Sequence, residues 1–208
     1  MSTRVIAAVE RALDDRQREA TEEVERILAA AVRVMERVAP EPPRVSDIVA
    51  EAGSSNKAFY RYFAGKDKVI LAVMERGVAI VVSYLQHQMA KEPAPAGKVQ
   101  RWIEGGLAQV ADPHLISMSR AAAGQISGTA NWRAADNEIM RPLRDLLTEP
   151  VAALGSTDIR RDADAVFYCT AAAMRRYLDS ADRPGPDDIE HLVRFCLRGL
   201  GVTRRSAD

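Results

Sequence analysis

Cysteine is nearly missing: Cys169 and Cys196 are the only two, 27 positions apart and in no CxxC pair. Both stand in apolar helical stretches, where a free thiol behaves as a small hydrophobe, so they read as buried free thiols suited to a reducing cytoplasm. No run approaches the roughly 20 apolar residues of a membrane span, so no membrane partner is expected. Residues 1–20 carry Glu10, Asp14 and Asp15 and do not form a signal peptide. Internal repeats and low-complexity segments are absent, and β-branched runs are short. Net charge is missing too: 29 Lys and Arg balance 29 Asp and Glu, so the overall charge says nothing about nucleic acid. The expectation is a soluble, cytoplasmic, all-α protein.

Catalytic chemistry is also hard to find. No GxSxG, P-loop or GxGxxG spacing occurs. His87, His114 and His191 lie far apart. Asp188 and His191 stand at i, i+3, which invites a ferritin-like di-metal reading. That site needs two Glu-x-x-His pairs and a Glu from each of two more helices, and only one imperfect pair exists. A helix-start Asp beside a surface His explains the pair better. No catalytic residue, metal or cofactor is expected.

What the chain does have is the stretch PRVSDIVAEAGSSNKAFYRYFAGKDK, from Pro43 to Lys68. Val45, Ile48, Val49 and Ala52 fall at helical spacing on one face. Gly53 supplies the positive φ of a sharp turn. A second helix is expected from about Ser55 to Phe63. At 100° per residue, Phe59, Tyr62 and Phe63 share one side of it. Asn56, Lys57, Tyr60 and Arg61 share the other. Lys57, Arg61, Lys66 and Lys68 against Asp67 leave a local charge of +3. A charge run alone is as well explained by a solvated helix face. Two short helices about a Gly turn, the second aromatic inside and polar-basic outside, read as a helix-turn-helix.

The segment IVAEAGSSNKAFYRYFAGKDKVI resembles the DNA-binding signature of the TetR family of bacterial transcription regulators. The matching positions are Ile48, Ala52, Gly53, Ser55, Phe59, Tyr60, Phe63 and Lys66, within a resemblance covering roughly residues 16–75. Two positions depart from the pattern. Arg44 stands where the family usually has Thr or Ser, at the cap of the second helix. Ser54 stands where it usually has an apolar residue. The resemblance implies that Tyr60 and Lys66 bond DNA phosphates, with Arg44 as candidate replacement for the cap hydroxyl. Ser55, Asn56, Lys57 and Arg61 lie early on the recognition helix or on its outward face, and are the candidates for base edges.

In chain order, residues 4–13 have an apolar face of Val5, Ile6, Val9, Ala12 and Leu13. They read as a short extra helix or an arm at a frayed terminus. A longer helix is expected from about Arg16 to Val38, stopped by Pro40, Pro42 and Pro43. Ser46 and Asp47 are expected to serve the first-turn amides of the next helix. Lys66 opens a long, mostly apolar helix to about Lys91, which Pro93 to Gly97 end. Further helices are expected over 98–110, from the Asp112-Pro113 start to about Gly124, over 131–154 with kinks or a break at Pro142 and Pro150, and over 158–181 and 186–200. That makes about nine helices: a three-helix head within residues 1–68, and a larger helical bundle over 69–208.

Met74, Val78, Val81, Trp102, Leu115, Met118, Ser119, Gln125 and Trp132 mix bulky apolar side chains with a few polar ones. By composition they suit a plain packed core. The resemblance instead implies an effector pocket, with Ser119 and Gln125 as polar anchors. Ala165, Cys169, Ala172 and Ala173 give one terminal helix a small, flat face. Ile189, Leu192, Val193 and Cys196 give the other an apolar one. The pair looks like the four-helix dimer interface of the TetR family. Packing within the chain alone is the other reading.

The expected function is therefore a homodimeric repressor, released from a palindromic double-stranded DNA operator by a mainly apolar small-molecule effector. The competing reading is an all-α small-molecule-binding or enzymatic protein with a vestigial helix-turn-helix. Lys57, Tyr60, Arg61 and Lys66 speak for the first, since a vestigial head need not keep a basic outer face.

Overall fold

Proline and glycine set most of the helix boundaries in the structure, a computed structural model that describes residues 3–39, 41–112 and 132–202. Nine helices, and no strands, lie among the described residues. They are α1 (Thr3–Val38), α2 (Val45–Glu51), α3 (Asn56–Tyr62), α4 (Lys66–Met89), α5 (Pro95–Ala111), α6 (Trp132–Asp145), α7 (Thr148–Ala153), α8 (Ile159–Leu178) and α9 (Pro186–Gly199).

Several boundaries differ from those read in the sequence. The two helices expected before Val38 are a single helix of 36 residues. Nothing between Leu13 and Arg16 breaks it, because Asp14 and Asp15 carry only a modest helix penalty. Ile6, Val9 and Leu13 on its first turns remain exposed. Pro95 opens α5 and does not merely close α4. Proline at the first helical position loses no hydrogen bond and has φ already set. The helix expected over 131–154 is two, α6 and α7, with the break at Leu146 and Leu147. Pro142 is accommodated inside α6. The helix expected from Asp112 to Gly124 lies outside the described residues.

α4 also corrects the reading that no segment is long and apolar enough for a membrane. It has 24 residues, with only Glu75 and Arg76 as charges between Val69 and Met89. Among the described residues it is the one helix that meets that length and composition.

The chain forms two compact units, one up to Val73 and one from Met74, so the division falls inside α4. In the first, the α1 stripe of Ile27, Leu28, Ala31 and Val34 packs with Ile48 and Val49 of α2. Phe59 and Phe63, at α3 and its end, and Val69 of α4 complete this core. In the second unit, α5 lies among α7, α8 and α9, and its Trp102, Ile103, Leu107 and Val110 are buried. Gly105 allows α5 to approach Leu85 closely: a Cβ there would stand 2.5 Å from Leu85 Cδ2. Asp188 is spent on structure, as its carboxylate accepts from the Gly185 amide at 2.9 Å and caps α9.

Candidate nucleic-acid interface

The first unit is built around a short helix that cannot stand alone. α3 has seven residues, too few to be stable in isolation, so its place is set by what it packs on. Its inner side is Ala58 and Phe59, with Phe63 following, all buried. Phe59 and Phe63 meet with ring centroids 5.7 Å apart. Asn56, Lys57, Tyr60 and Arg61 are exposed on the other side, as the periodicity predicts. Gly53 adopts φ +60, the left-handed conformation that only glycine takes cheaply, and turns the chain between α2 and α3.

Ser55 caps α3: its Oγ accepts from the Ala58 amide at 3.1 Å, and its backbone is extended. Its hydroxyl proton remains available to an acceptor. Arg44 occupies the corresponding position before α2 with extended backbone, is exposed and makes no side-chain cap. The α2 first turn rests instead on the Arg44 carbonyl, which accepts from Asp47 at 3.1 Å and Ile48 at 3.2 Å. The Ser46 hydroxyl donates to Asp47 Oδ1, so these two side chains bond each other and not the amides they were expected to serve. Lys66 is exposed as the first residue of α4.

Two carboxylates tie this unit together, and neither was picked out in the sequence. Glu51 of α2 accepts from Arg33 Nε at 2.7 Å and from Arg37 Nη1 at 3.0 Å, both on α1. Those hydrogen bonds, Arg33's first, hold the Glu51 carboxyl below its ordinary pKa. Glu23 of α1 accepts from Ser54 Oγ at 3.4 Å and from the Tyr62 hydroxyl at 3.0 Å. Arg61 Nη1 is 3.9 Å from the same carboxylate. The only available sequence signal was Ser54 itself, a polar residue where an apolar one was expected.

The remaining candidates lie in the second unit. Met74 and Trp102 are buried, and Val78 and Val81 half-buried. The Trp102 indole donates to the Leu143 carbonyl at 3.0 Å and its ring stands 6.1 Å from that of Phe167, so Trp102 belongs to the core. A cleft of about 350 Å³ runs along α4 and α6, with Val78, Val82, Ile139 and Pro142 as apolar walls and Glu75 and Glu138 among its polar ones. Of the described pocket candidates it takes in Val78 alone. Leu115, Met118, Ser119 and Gln125 lie outside the described residues, as does the Trp132 side chain.

On α8 and α9, Ala165 and Ala172 are exposed, while Cys169, Ala173, Ile189 and Leu192 are half-buried. Val193 and Cys196 point into the unit's own core and offer no surface. The large exposed apolar side chains of these helices are Tyr168 and Phe195, which the sequence reading passed over. Among the described residues no group of three or more His, Cys, Asp or Glu side chains is placed to hold a metal.

Residues 27–73 match the family model of bacterial regulatory proteins of the tetR family. No curated protein matches the chain in sequence. Solved structures share its fold. The fatty acid degradation regulator FadR of Bacillus halodurans superposes with a TM-score of 0.66 at 19% identity, over 86% of this chain and 99% of its own. The transcriptional regulator FadR of Bacillus subtilis, in complex with stearoyl-CoA, gives 0.66 at 17% identity, with the same coverage of 86% and 99%. Reduced NemR of E. coli gives 0.67 at 16%, over 85% and 96%.

Proposed function

With a tetR-family helix-turn-helix in residues 27–73 as the premise, we propose that the chain is a dimeric transcription regulator that represses from a palindromic operator and is released by a small molecule. The observation that carries this is α3. Its apolar side is buried, and the opposite side presents Asn56, Lys57, Tyr60 and Arg61 to solvent. A helix of that form, two turns long and following a glycine turn, fits the major groove. Lys57, Asn56, Ser55 and Arg61 are the side chains offered to base edges. Tyr60, Lys66 and Arg44 are offered to phosphates, which fix register without reading sequence.

One head offers few base contacts, and two heads roughly 34–36 Å apart read the two halves of a palindrome. The surface we assign to the second copy is on α8 and α9. Ala165 and Ala172 are small enough for close helix approach, and Tyr168 and Phe195 supply exposed apolar area. Such a regulator works in the cytoplasm, where the free thiols of Cys169 and Cys196 stay reduced.

The effector we assign to the second unit is mainly apolar. The fold shared with a regulator solved in complex with stearoyl-CoA and the apolar walls of the cleft along α4 and α6 support that class. An effector releases DNA only through its unequal affinity for two states of the dimer. Moving the population from 1:99 to 99:1 takes about 5.5 kcal/mol of preference.

The test is a gel shift of the full-length chain on the DNA upstream of its own gene, repeated with compounds that raise its melting temperature. A retarded band that such a compound abolishes is the expected result. Equal compound affinity with and without operator contradicts release by an effector, since linkage requires the two ligands to weaken each other by one factor.

A further inference from the structure

One carboxylate bonds both the turn ahead of α3 and the last residue of α3. Glu23 lies on α1, four residues before the segment matched by the tetR family model. Its Oε1 accepts from Ser54, in the turn ahead of α3, at 3.4 Å. Its Oε2 accepts from the hydroxyl of Tyr62, the last residue of α3, at 3.0 Å. The carboxylate side chain is 22% exposed, and Arg61 lies against it, 3.9 Å from Oε2 and with its guanidinium 5.8 Å from the Tyr62 ring centre.

The apolar packing of Phe59 and Phe63 fixes the distance of α3 from α1, but non-directional contacts resist rotation about the helix axis poorly. Hydrogen bonds have direction. Two of them, a long one from the turn just ahead of the helix and a shorter one from its last residue, converge on one group and oppose that rotation. An axial turn of about 20° displaces a side-chain tip by about 2 Å, enough to lose a bidentate base contact. The departure at Ser54 then has a cause: the turn residue is polar because its partner is a carboxylate.

We propose that Glu23 is a positioning residue for the recognition helix, setting sequence discrimination by the head without touching DNA. The proposal rests on the regulator reading above. Arg61 stands against the same carboxylate and the Tyr62 ring.

The test uses the full-length chain and two duplexes: one enriched by the wild type from a randomised library, and a scrambled duplex of the same composition. Glu23→Ala removes the clamp, and Glu23→Gln keeps one acceptor oxygen. Tyr62→Phe deletes a hydroxyl and leaves the ring, so it stays folded even if Glu23→Ala does not. The ratio of the two dissociation constants should fall about tenfold in Glu23→Ala and a few-fold in Tyr62→Phe and Ser54→Ala, with Glu23→Gln between. Adding Tyr62→Phe to Glu23→Ala should change the ratio no further.

A carboxylate acting through charge alone would, when removed, tighten both duplexes equally. One that only stabilises the head would, when removed, weaken both equally. In either case the ratio stays within about twofold of wild type in Glu23→Ala and Tyr62→Phe, and positioning by Glu23 is overturned. A wild type that enriches no duplex overturns the regulator reading, and the proposal with it. A wild type that discriminates beside variants that discriminate equally well overturns the proposal alone.

Discussion

Glu51 receives the Arg33 guanidinium at 2.7 Å, so α2 is tied to α1 by a charged bond beside the apolar core as well as through it. Arg37 adds a second bond at 3.0 Å. Both arginines are about half exposed, so the pair is screened by water and salt. Its effect is read in pH. The Glu51 pKa is lowered from 4.5 in the folded head. A depressed carboxyl contributes stability that is present above 4.5 and is lost as pH falls through the folded value. The protection factors of the α2 amides, corrected for the intrinsic exchange rate at each pH, should therefore fall on acidification below pH 4.5 in the wild type. Glu51→Gln should start less protected and respond less to acid. An identical acid response in both would show that the ion pair does not matter to α2.

Lys57 and Lys66 should fail differently. Lys57 is exposed on the outer side of α3, and Lys66 is exposed at the start of α4. Lys57→Ala should cost about 1–3 kcal/mol on the operator and relax specificity at one base step. Lys66→Ala should weaken operator and random DNA alike and reduce the salt slope by about 1. Equal losses by both variants on both duplexes would contradict the division into reading and positioning.

Phe195 is the better probe of the second copy. It is 61% exposed, whereas Val193, two positions earlier and so on the opposite side of the helix, is 6% exposed and packed in the unit's own core. Val193→Glu would bury an unpaired charge and unfold the unit whether or not a dimer forms. Phe195→Glu and Ala172→Glu charge surface positions only. Each should give a folded monomer, checked by circular dichroism and sedimentation, that retains non-specific DNA affinity alone. A wild type that sediments as a monomer at micromolar concentration removes the dimer from the proposal.

What the sequence made legible follows from how many constraints act locally. α3 was readable because one period sorts seven residues into two sides, and Ser55 and Phe63 bound it. The inner residues of the head were readable for the same reason. The Glu23 and Glu51 ties were not, because their partners stand 31, 39, 18 and 14 positions away, beyond any local pattern. On α9 the apolar stripe was visible, but Val193, Cys196 and Phe195 are all apolar and nearly consecutive. Which side faces the chain's own core depends on α5 and α8, not on α9. The composition around Trp102 suits a packed core, and the pocket-wall reading comes from the family resemblance. The Trp102 indole bond to Leu143, 41 positions on, is a tertiary fact.

The Cys196 thiol gives the last prediction. It is 5% exposed, and burial, with a smaller contribution from the nearby Cys169 thiol, pushes its pKa from 9.0 up to about 11. The folded unit therefore holds this proton over a range in which the unfolded chain releases it. For a group whose folded pKa is raised, stability is fully present below the unfolded pKa and is lost as pH rises towards the folded one. The window is thus pH 9 to about 11, and two pH units correspond to roughly 3 kcal/mol at its upper end. Lysine and tyrosine titrate there as well, so the comparison has to be with Cys196→Ala. That variant should be less stable at pH 7, from the lost volume. It should also lose stability more slowly than wild type between pH 9 and 11, so that the two denaturation midpoints converge as the solution becomes alkaline. Parallel pH profiles would mean that the thiol titrates no differently in the folded and unfolded chains, and that Cys196 is reached by water in the native state.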